Sequence, residues 1–135
     1  MSKTLIESNI VEIENSRENV FSFLSDFNNF EKLMPPQVTK WQSTNDTCSF
    51  VINGMATIGM KMVGKTPPEK IAIESAGDKI PLQFNLDVHL KDTGSGKCQG
   101  QLIFSSDMNP MMKMMVEKPL TNFFNLLAEK MKEIK

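Results

Sequence analysis

The spacing of apolar residues changes twice along this chain and divides it into three parts. Residues 4–13 alternate loosely between apolar and polar side chains, which predicts a first strand. Asn15 and Glu18 then stand three residues apart, a spacing that favours a capped helix start. Apolar residues follow at helical spacing until Pro35 and Pro36, which end the helix because proline donates no backbone hydrogen bond. The first part is therefore predicted to be one strand followed by two short helices.

After Pro36 the apolar period falls from about 3.6 residues to 2, as expected for strands with one buried face. Asn53-Gly54 and residues 92–96 are typical hairpin tips, so successive strands are expected to be antiparallel neighbours. The six strands predicted in this second part are residues 38–43, 48–53, 56–64, 70–75, 82–91 and 97–106.

The strand predicted at 82–91 has the most regular alternation in the chain. A strict period of 2 assigns one set of side chains to the core and the intervening set to solvent. The set expected in the core is Leu82, Phe84, Leu86, Val88 and Leu90. The set expected in solvent includes Asn85, Asp87 and His89.

The third part begins at Asn109-Pro110 and is predicted to be helical almost to Lys135, with proline in the first turn, where it is tolerated. One broad face of this helix is apolar: Met112, Met115, Val116, Leu120, Phe123, Phe124, Leu127, Met131 and Ile134. Such a face predicts that the helix packs on the sheet. Pro119 interrupts the helix and indicates either a static kink or a hinge.

Length and charge restrict the class of protein. A chain of 135 residues is expected to form a single domain over 1–135. Fifteen basic and sixteen acidic residues, with no basic cluster, argue against nucleic acid as a partner. No apolar run approaches the roughly 20 residues that span a bilayer, so stable membrane insertion is not expected. Without an export signal, Cys48 and Cys98 are expected to be reduced thiols in a cytoplasmic protein.

The order of these elements resembles the helix-grip fold of the START and birch-pollen-allergen (Bet v) superfamily, SRPBCC. The residues that carry the resemblance are Glu18, Val20, Phe21, Leu24, Asp26, Phe30, Leu33, Met34 and Pro35, together with the helix that opens Asn109-Pro110-Met111-Met112. The resemblance implies an α+β fold in which a curved antiparallel sheet of about seven strands wraps around the long C-terminal helix. It also implies an apolar cavity between the sheet and that helix.

Members of this superfamily include lipid carriers, quinone-binding proteins, hormone receptors, co-chaperone domains and polyketide cyclases or dehydratases. The fold therefore places the site without fixing the task. The function expected first is binding, carrying or sensing a small hydrophobic or amphipathic molecule, such as a lipid, a quinone or a polyketide-like compound. Eleven methionines and no tyrosine support this expectation, because flexible methionine side chains suit a surface that adapts to a guest.

The periodicity and the expected fold together nominate the residues of this cavity. The expected ligand-binding side chains are Phe50, Ile52, Met60, Met62, Ile73, Phe84, Leu86, Val88, Leu102, Phe104, Met112, Met115, Phe123 and Leu127. The expected cavity mouth is formed by Met108, Met111, Met114 and Lys79. The mouth is placed there because the Asn53-Gly54 turn, the loop at 76–81 and the start of the long helix share one end of an antiparallel meander.

Two other classes of function stay open at this stage. An enzyme resembling polyketide cyclases or dehydratases would use Glu7 or Asn9, which period 2 brings inward if Val11 and Ile13 face the core. A bend or bulge in the first strand would instead leave Glu7 exposed to solvent. A protein-interaction module, as among co-chaperone relatives, would use exposed methionines of the last helix.

The metal-ligating residue types are sparse and scattered along the chain. His89 is the only histidine and is expected to face solvent, and the two cysteines lie far apart in sequence. A zinc site needs about four nitrogen, sulfur or oxygen ligands. We therefore expect no metal and no cofactor, and the sequence leaves the oligomeric state open.

Overall fold

The computed structural model of this protein describes residues 3–52, 56–76 and 83–134. Its strands are β1 Lys3–Glu7, β2 Val11–Ile13, β3 Val38–Ser43, β4 Thr47–Ile52, β5 Ala56–Thr66, β6 Lys70–Ser75, β7 Asn85–Gly94 and β8 Lys97–Asp107. Its helices are α1 Arg17–Leu24, α2 Phe27–Phe30 with a short 3₁₀ helix at Glu31–Leu33, and α3 Pro110–Met131. The predicted α+β architecture is confirmed.

The strands form one antiparallel sheet in the order β1-β8-β7-β6-β5-β4-β3, and β2 also pairs with β8. From β3 to β8 each strand pairs with its neighbour in sequence, as short connections require. The buried face of this sheet and α3 enclose the core. Two of the sequence-predicted strands, 38–43 and 70–75, match the observed bounds, and the others differ at their ends. The hairpin signal at Asn53-Gly54 lies outside the described residues.

The strand predicted at 4–13 is divided by a bulge into β1 and β2, which both pair with β8. Glu7 pairs with Ile103 and Val11 with Gly100, so four steps along one strand oppose three along β8. The extra residue changes which face each side chain occupies. Ser8 is buried, and its hydroxyl accepts a hydrogen bond from the backbone N–H of Leu102 at 2.9 Å.

The first helix begins one residue later than its sequence indicates. Ser16 is the N-cap, and its hydroxyl accepts from the backbone N–H of Asn19 at 3.1 Å. Asn15 supports the cap from outside, since its side-chain oxygen accepts from the backbone N–H of Ser16 at 2.8 Å. Asparagine and serine are both favoured as N-cap residues, so the sequence alone does not show whether Asn15 or Ser16 caps the helix.

Alternation along β7 is confirmed. Phe84, just before the strand, is buried together with Leu86, Val88 and Leu90. The intervening side chains, Asn85, Asp87 and His89, are exposed or half-buried on the opposite face. Leu82, which the same pattern assigned to the core, lies outside the described residues.

The two ends of α3 differ in how closely they approach the sheet. The side chains buried on this helix all lie from its middle onward, and they are Leu120, Phe123, Phe124, Leu127, Ala128 and Met131. A Cβ atom at Gly100 would lie only 2.7 Å from the terminal methyl of Met131, so the helix end uses the space that this glycine leaves. Before Leu120 the helix residues are exposed or half-buried. None of the described helices is long and apolar enough to cross a membrane.

Two glycines in β5 provide a matched test of strand packing. A Cβ added at Gly59 would lie 2.2 Å from the backbone oxygen of Ala76, whereas one added at Gly64 would meet only the Ala72 side chain at 3.7 Å. We expect Gly59→Ala to lower the free energy of unfolding by about 1–3 kcal/mol, because backbone atoms must move apart. Gly64→Ala should change it by less than about 1 kcal/mol. Equal effects in urea denaturation would contradict this account of Gly59.

Candidate functional site: an apolar cavity

A cavity of about 320 Å³ lies between the sheet and the part of α3 that stands away from it. Its described lining residues are Met34, Phe50, Ile52, Ile58, Met60, Phe84, Leu86, Phe104, Met112, Met115, Val116, Pro119, Leu120, Phe123, Phe124 and Leu127. All of these side chains are apolar. Such a wall offers dispersion contacts and shape but no charged or hydrogen-bonding side chain.

The cavity walls come from separate parts of the chain. β4 and β5 contribute one wall, which includes Phe50 and Met60, and Leu86 and Phe104 from β7 and β8 form another. α3 forms the roof. Met34, directly after the 3₁₀ helix, joins them because the short helices lie between β2 and β3.

The structure brings together most of the side chains that the sequence assigned to the ligand cavity. Those that line it are Phe50, Ile52, Met60, Phe84, Leu86, Phe104, Met112, Met115, Phe123 and Leu127. Those that do not are Met62, Ile73, Val88 and Leu102. Period 2 identified the correct face of each strand in most of these cases, but it carries no information about position along the strand.

Each departure has a local cause. Ile73, Val88 and Leu102 are almost fully buried and belong to the filled part of the core. Met62 precedes an irregularity in the pairing of β5 with β6, between Met62 and Gly64, and its side chain is only partly buried. It packs against the core from the edge and does not line the cavity.

Six lining residues were not nominated by sequence reasoning. They are Met34, Ile58, Val116, Pro119, Leu120 and Phe124. Val116, Leu120 and Phe124 belong to the apolar face of the helix recognised above, and Ile58 shares the alternation of Met60, so their pattern contained the signal. No local pattern could have found Met34, because its position depends on how two short helices dock.

Three of the residues expected at the cavity mouth do not line the cavity. Met108 is buried, with 6% of its surface exposed, and does not line the cavity. Met111 and Met114 are 73% and 83% exposed and do not line it either. They lie roughly 100° around the helix from their neighbours Met112 and Met115, which do line it. Lys79 lies outside the described residues.

Met115 occupies an intermediate position. It was expected to form part of a buried roof, yet it is 66% exposed while still lining the cavity. A side chain that meets both solvent and cavity lies at the rim. The half-buried Met112 and Val116 adjoin it on the same helix face.

Pro119 lies in the cavity wall, where α3 passes from its exposed half to its buried half. Proline has no N–H to offer the carbonyl of Met115, one turn earlier. Helical backbone nevertheless continues through Pro119 to Met131. The missing hydrogen bond therefore falls at the border between the two halves.

The nominated catalytic groups do not reach the cavity. Glu7 and Asn9 are both exposed, because the bulge after β1 turns Ser8 inward instead. The backbone N–H of Asn9 donates to the side-chain oxygen of Asn125 on α3 at 2.8 Å, which fastens the bulge to the helix. Of the two arrangements that the sequence left open for Glu7, the structure has the one in which a bulge leaves this side chain exposed.

The two thiols are buried and outside the cavity lining. Burial raises the pKa of Cys48 to about 12, and a hydrogen bond with the backbone of Met60 only partly offsets this effect. Burial also raises the pKa of Cys98, and the nearby Asp92 carboxylate adds to that shift. Among the residues that the structure describes, no group of three His, Cys, Asp or Glu side chains is placed to hold a metal ion.

Comparison with known proteins identifies the fold. No family model matches the chain, and no curated protein matches it in sequence. A START superfamily protein from Mycobacterium smegmatis superposes with a TM-score of 0.75 at 14% identity, covering 96% of this chain and 94% of that one. XoxI from Bacillus cereus gives 0.74 at 12% identity, covering 98% and 94%. Truncated norcoclaurine synthase from Thalictrum flavum gives 0.71 at 12% identity, covering 98% and 92%.

The likeness extends over nearly the whole of each chain. This protein therefore has the START-like helix-grip fold shared with Bet v-type proteins, which confirms the resemblance drawn from its sequence. At these identities the likeness is one of fold.

Truncation of a ring beside the cavity should be tolerated better than truncation of a fully packed ring. Phe123→Ala removes a side chain that faces the cavity, so we expect the free energy of unfolding to fall by about 2–3 kcal/mol. Phe27→Ala is the matched control, because Phe27 is fully buried away from the cavity, and it should cost about 3–5 kcal/mol. Urea denaturation of ligand-free protein measures both. An equal or larger loss for Phe123→Ala would indicate a filled core.

The cysteines should be inert in the folded protein. The thiolate is the reactive form, and a pKa of about 12 leaves on the order of one ten-thousandth of Cys48 ionised at pH 8. We expect a disulfide reagent at pH 8 to modify neither thiol until guanidinium unfolds the chain. Because the unfolded thiol loses its proton first, this group should also lower stability as pH rises from about 9 towards 12. Rapid labelling of native protein would refute the burial of these thiols.

Proposed function

We propose that this protein binds, carries or senses a small hydrophobic or amphipathic molecule in the cavity between its sheet and α3. The observation that carries the proposal is a wall of sixteen described side chains, all of them apolar, around about 320 Å³. A water molecule is not stabilised in such a space, because an ordered water needs hydrogen bonds to two to four polar partners. An apolar guest gains from both dehydration and contact with the walls.

The gain is large enough to support binding. Apolar surface removed from water contributes about 25 cal/mol per Å², so a guest that buries about 200 Å² gains about 5 kcal/mol before other terms. Loss of translational and rotational freedom offsets part of this gain. Flexible methionines in the wall, such as Met60 and Met112, can repack around guests of different outline.

The chemistry of the wall favours carriage or sensing over catalysis. General acid–base work needs a polar side chain within hydrogen-bonding reach of the substrate. Over residues 3–52, 56–76 and 83–134, the structure provides none in the cavity wall. Norcoclaurine synthase shares the fold and is an enzyme by name, but the enzyme alternative finds no support in the described walls of this cavity.

We place the opening of the cavity at the rim formed by Met112, Met115 and Val116. This assignment keeps the opening near the start of α3 but moves it to a neighbouring face of that helix, and the partial exposure of all three side chains supports it. A charged side chain at this rim should therefore weaken the binding of an apolar ligand. Met114 is the natural control, because it is a neighbour of Met115 but does not line the cavity.

Native mass spectrometry of freshly purified protein tests the function directly. We expect a fraction of the protein to carry a small molecule that organic solvent extracts. After extraction, the neutral fluorophore N-phenyl-1-naphthylamine should bind with saturation at about one molecule per chain. Protein that carries no small molecule and also fails to take up the fluorophore would overturn the proposal.

A pair of charge substitutions tests the opening. Met115→Glu should weaken binding of the same fluorophore about tenfold, because it places a carboxylate at the apolar rim. Met114→Glu should change the affinity by less than about twofold. Both residues are well exposed, so the thermal midpoint should stay nearly constant in both variants. If the two variants behave alike, the opening lies elsewhere.

A further inference from the structure

A continuous chain of six aromatic rings passes through the cavity wall. Neighbouring ring centroids lie between 5.3 and 6.4 Å apart. In order, the rings are Trp41, Phe50, Phe123, Phe124, Phe104 and Phe84. The five phenylalanines all line the cavity, and Trp41 lies behind Phe50. A guest in this cavity therefore meets aromatic rings on several sides.

The rings reach the cavity from parts of the chain that are distant in sequence. Phe50 belongs to β4 and Phe104 to β8, while Phe123 and Phe124 belong to α3. Trp41 on β3 is held in place by its indole N–H, which donates to the hydroxyl of Ser43 at 2.9 Å. Because wall and roof both contribute rings, the aromatic character belongs to the whole cavity rather than to one strand.

Among neighbouring rings in this chain, Phe50 and Phe123 are the most widely separated pair. Their centroids are 6.4 Å apart and their planes differ by only 17°. This spacing lies at the upper part of the range of about 4.5–7 Å over which rings interact. Phe50 belongs to the wall and Phe123 to the roof, so the aromatic surface that borders the cavity continues from β4 onto α3.

Methionine sulfur adds to the preference of the cavity for aromatic guests. Four of the sixteen lining side chains are methionines, namely Met34, Met60, Met112 and Met115. Thioethers interact favourably with the edges of aromatic rings. Together with the five phenylalanines, more than half of the described wall consists of side chains that interact specifically with a π-system. A saturated chain would gain only the general apolar contribution from the same wall.

The size and polarity of the cavity further restrict the class of ligand that it can hold. A volume of about 320 Å³ is near the lower end of the roughly 300–1,000 Å³ typical of ligand pockets. The space suits one compact molecule better than a lipid with two acyl chains. The apolar lining leaves a buried charge without a partner, which disfavours an ionised guest inside the cavity.

We infer that the cavity selects a compact, uncharged, planar aromatic or conjugated molecule over an acyl chain of similar size. This inference rests on the proposed function, which it makes more specific by naming the class of ligand.

Three neutral alcohols with the same number of carbon atoms provide the test: 2-naphthol, decahydro-2-naphthol and 1-decanol. The first is planar and aromatic, the second is its saturated counterpart and the third is a linear chain. Dissociation constants come from titration of the ligand-free protein, followed through ¹³C-methyl methionine resonances. We expect 2-naphthol to bind about tenfold more tightly than either saturated alcohol. Hydrophobicity alone would favour the saturated alcohols, so the expected order is diagnostic.

Loss of one ring should reduce this selectivity. Phe50→Leu keeps an apolar side chain but removes a ring from the wall, so the preference for 2-naphthol should fall to about threefold or less. Phe84→Leu, which removes the last ring of the chain, is a second variant for which the preference should fall in the same way. Phe21→Leu removes a buried ring of α1 that does not line the cavity, and it should retain the full preference.

The outcomes separate the ligand class from the function. If a saturated alcohol binds as tightly as 2-naphthol or more tightly, the inference is overturned while the proposed function stands. If none of the three alcohols binds, the inference is overturned, and uptake of N-phenyl-1-naphthylamine decides whether the proposed function fails as well. The three dissociation constants of the unaltered protein test the inference even if a variant does not fold.

Discussion

The close approach of one end of α3 to the sheet is the constraint on which the rest of this structure depends. At Gly100 the sheet offers no side chain, and the terminal methyl of Met131 lies where a Cβ would otherwise point. This contact holds the C-terminal half of the helix against β8. Towards Pro110 the helix residues become half-buried or exposed, and the space beneath them forms the cavity. A helix packed equally closely along its whole length would leave no such space.

The polar groups where the first two strands meet α3 form hydrogen bonds within the protein. The bulge between β1 and β2 turns Ser8 inward, where its hydroxyl satisfies the backbone N–H of Leu102. The same bulge places Glu7 and Asn9 outside. Asn125 then ties the backbone of Asn9 to α3. Because buried polar groups must find partners, these side chains stabilise the join between sheet and helix and leave the described cavity wall apolar.

Sequence reasoning succeeded where a periodic signal was long and uninterrupted. The faces of β7 and the start of α3 at Pro110 follow directly from alternation and from helical spacing. It left the outcome open where one residue changes the phase. A single extra residue in the bulge decides that Glu7 and Asn9 face outward. On α3, a shift of one position separates Met114, which projects into solvent, from Met115 at the cavity rim.

The sequence by itself determined the kinds of elements, their order and the apolar character of their inner faces. These properties arise from local sterics and from the match between the spacing of apolar residues and the side-chain period of a helix or a strand. Only the tertiary structure decided which inner-facing residues surround empty space and which fill the core, as with Phe104 and Leu102 on the same face of β8. That distinction depends on the distance between α3 and the sheet. Contacts such as Met131 on Gly100 set this distance, and they join residues far apart in the chain.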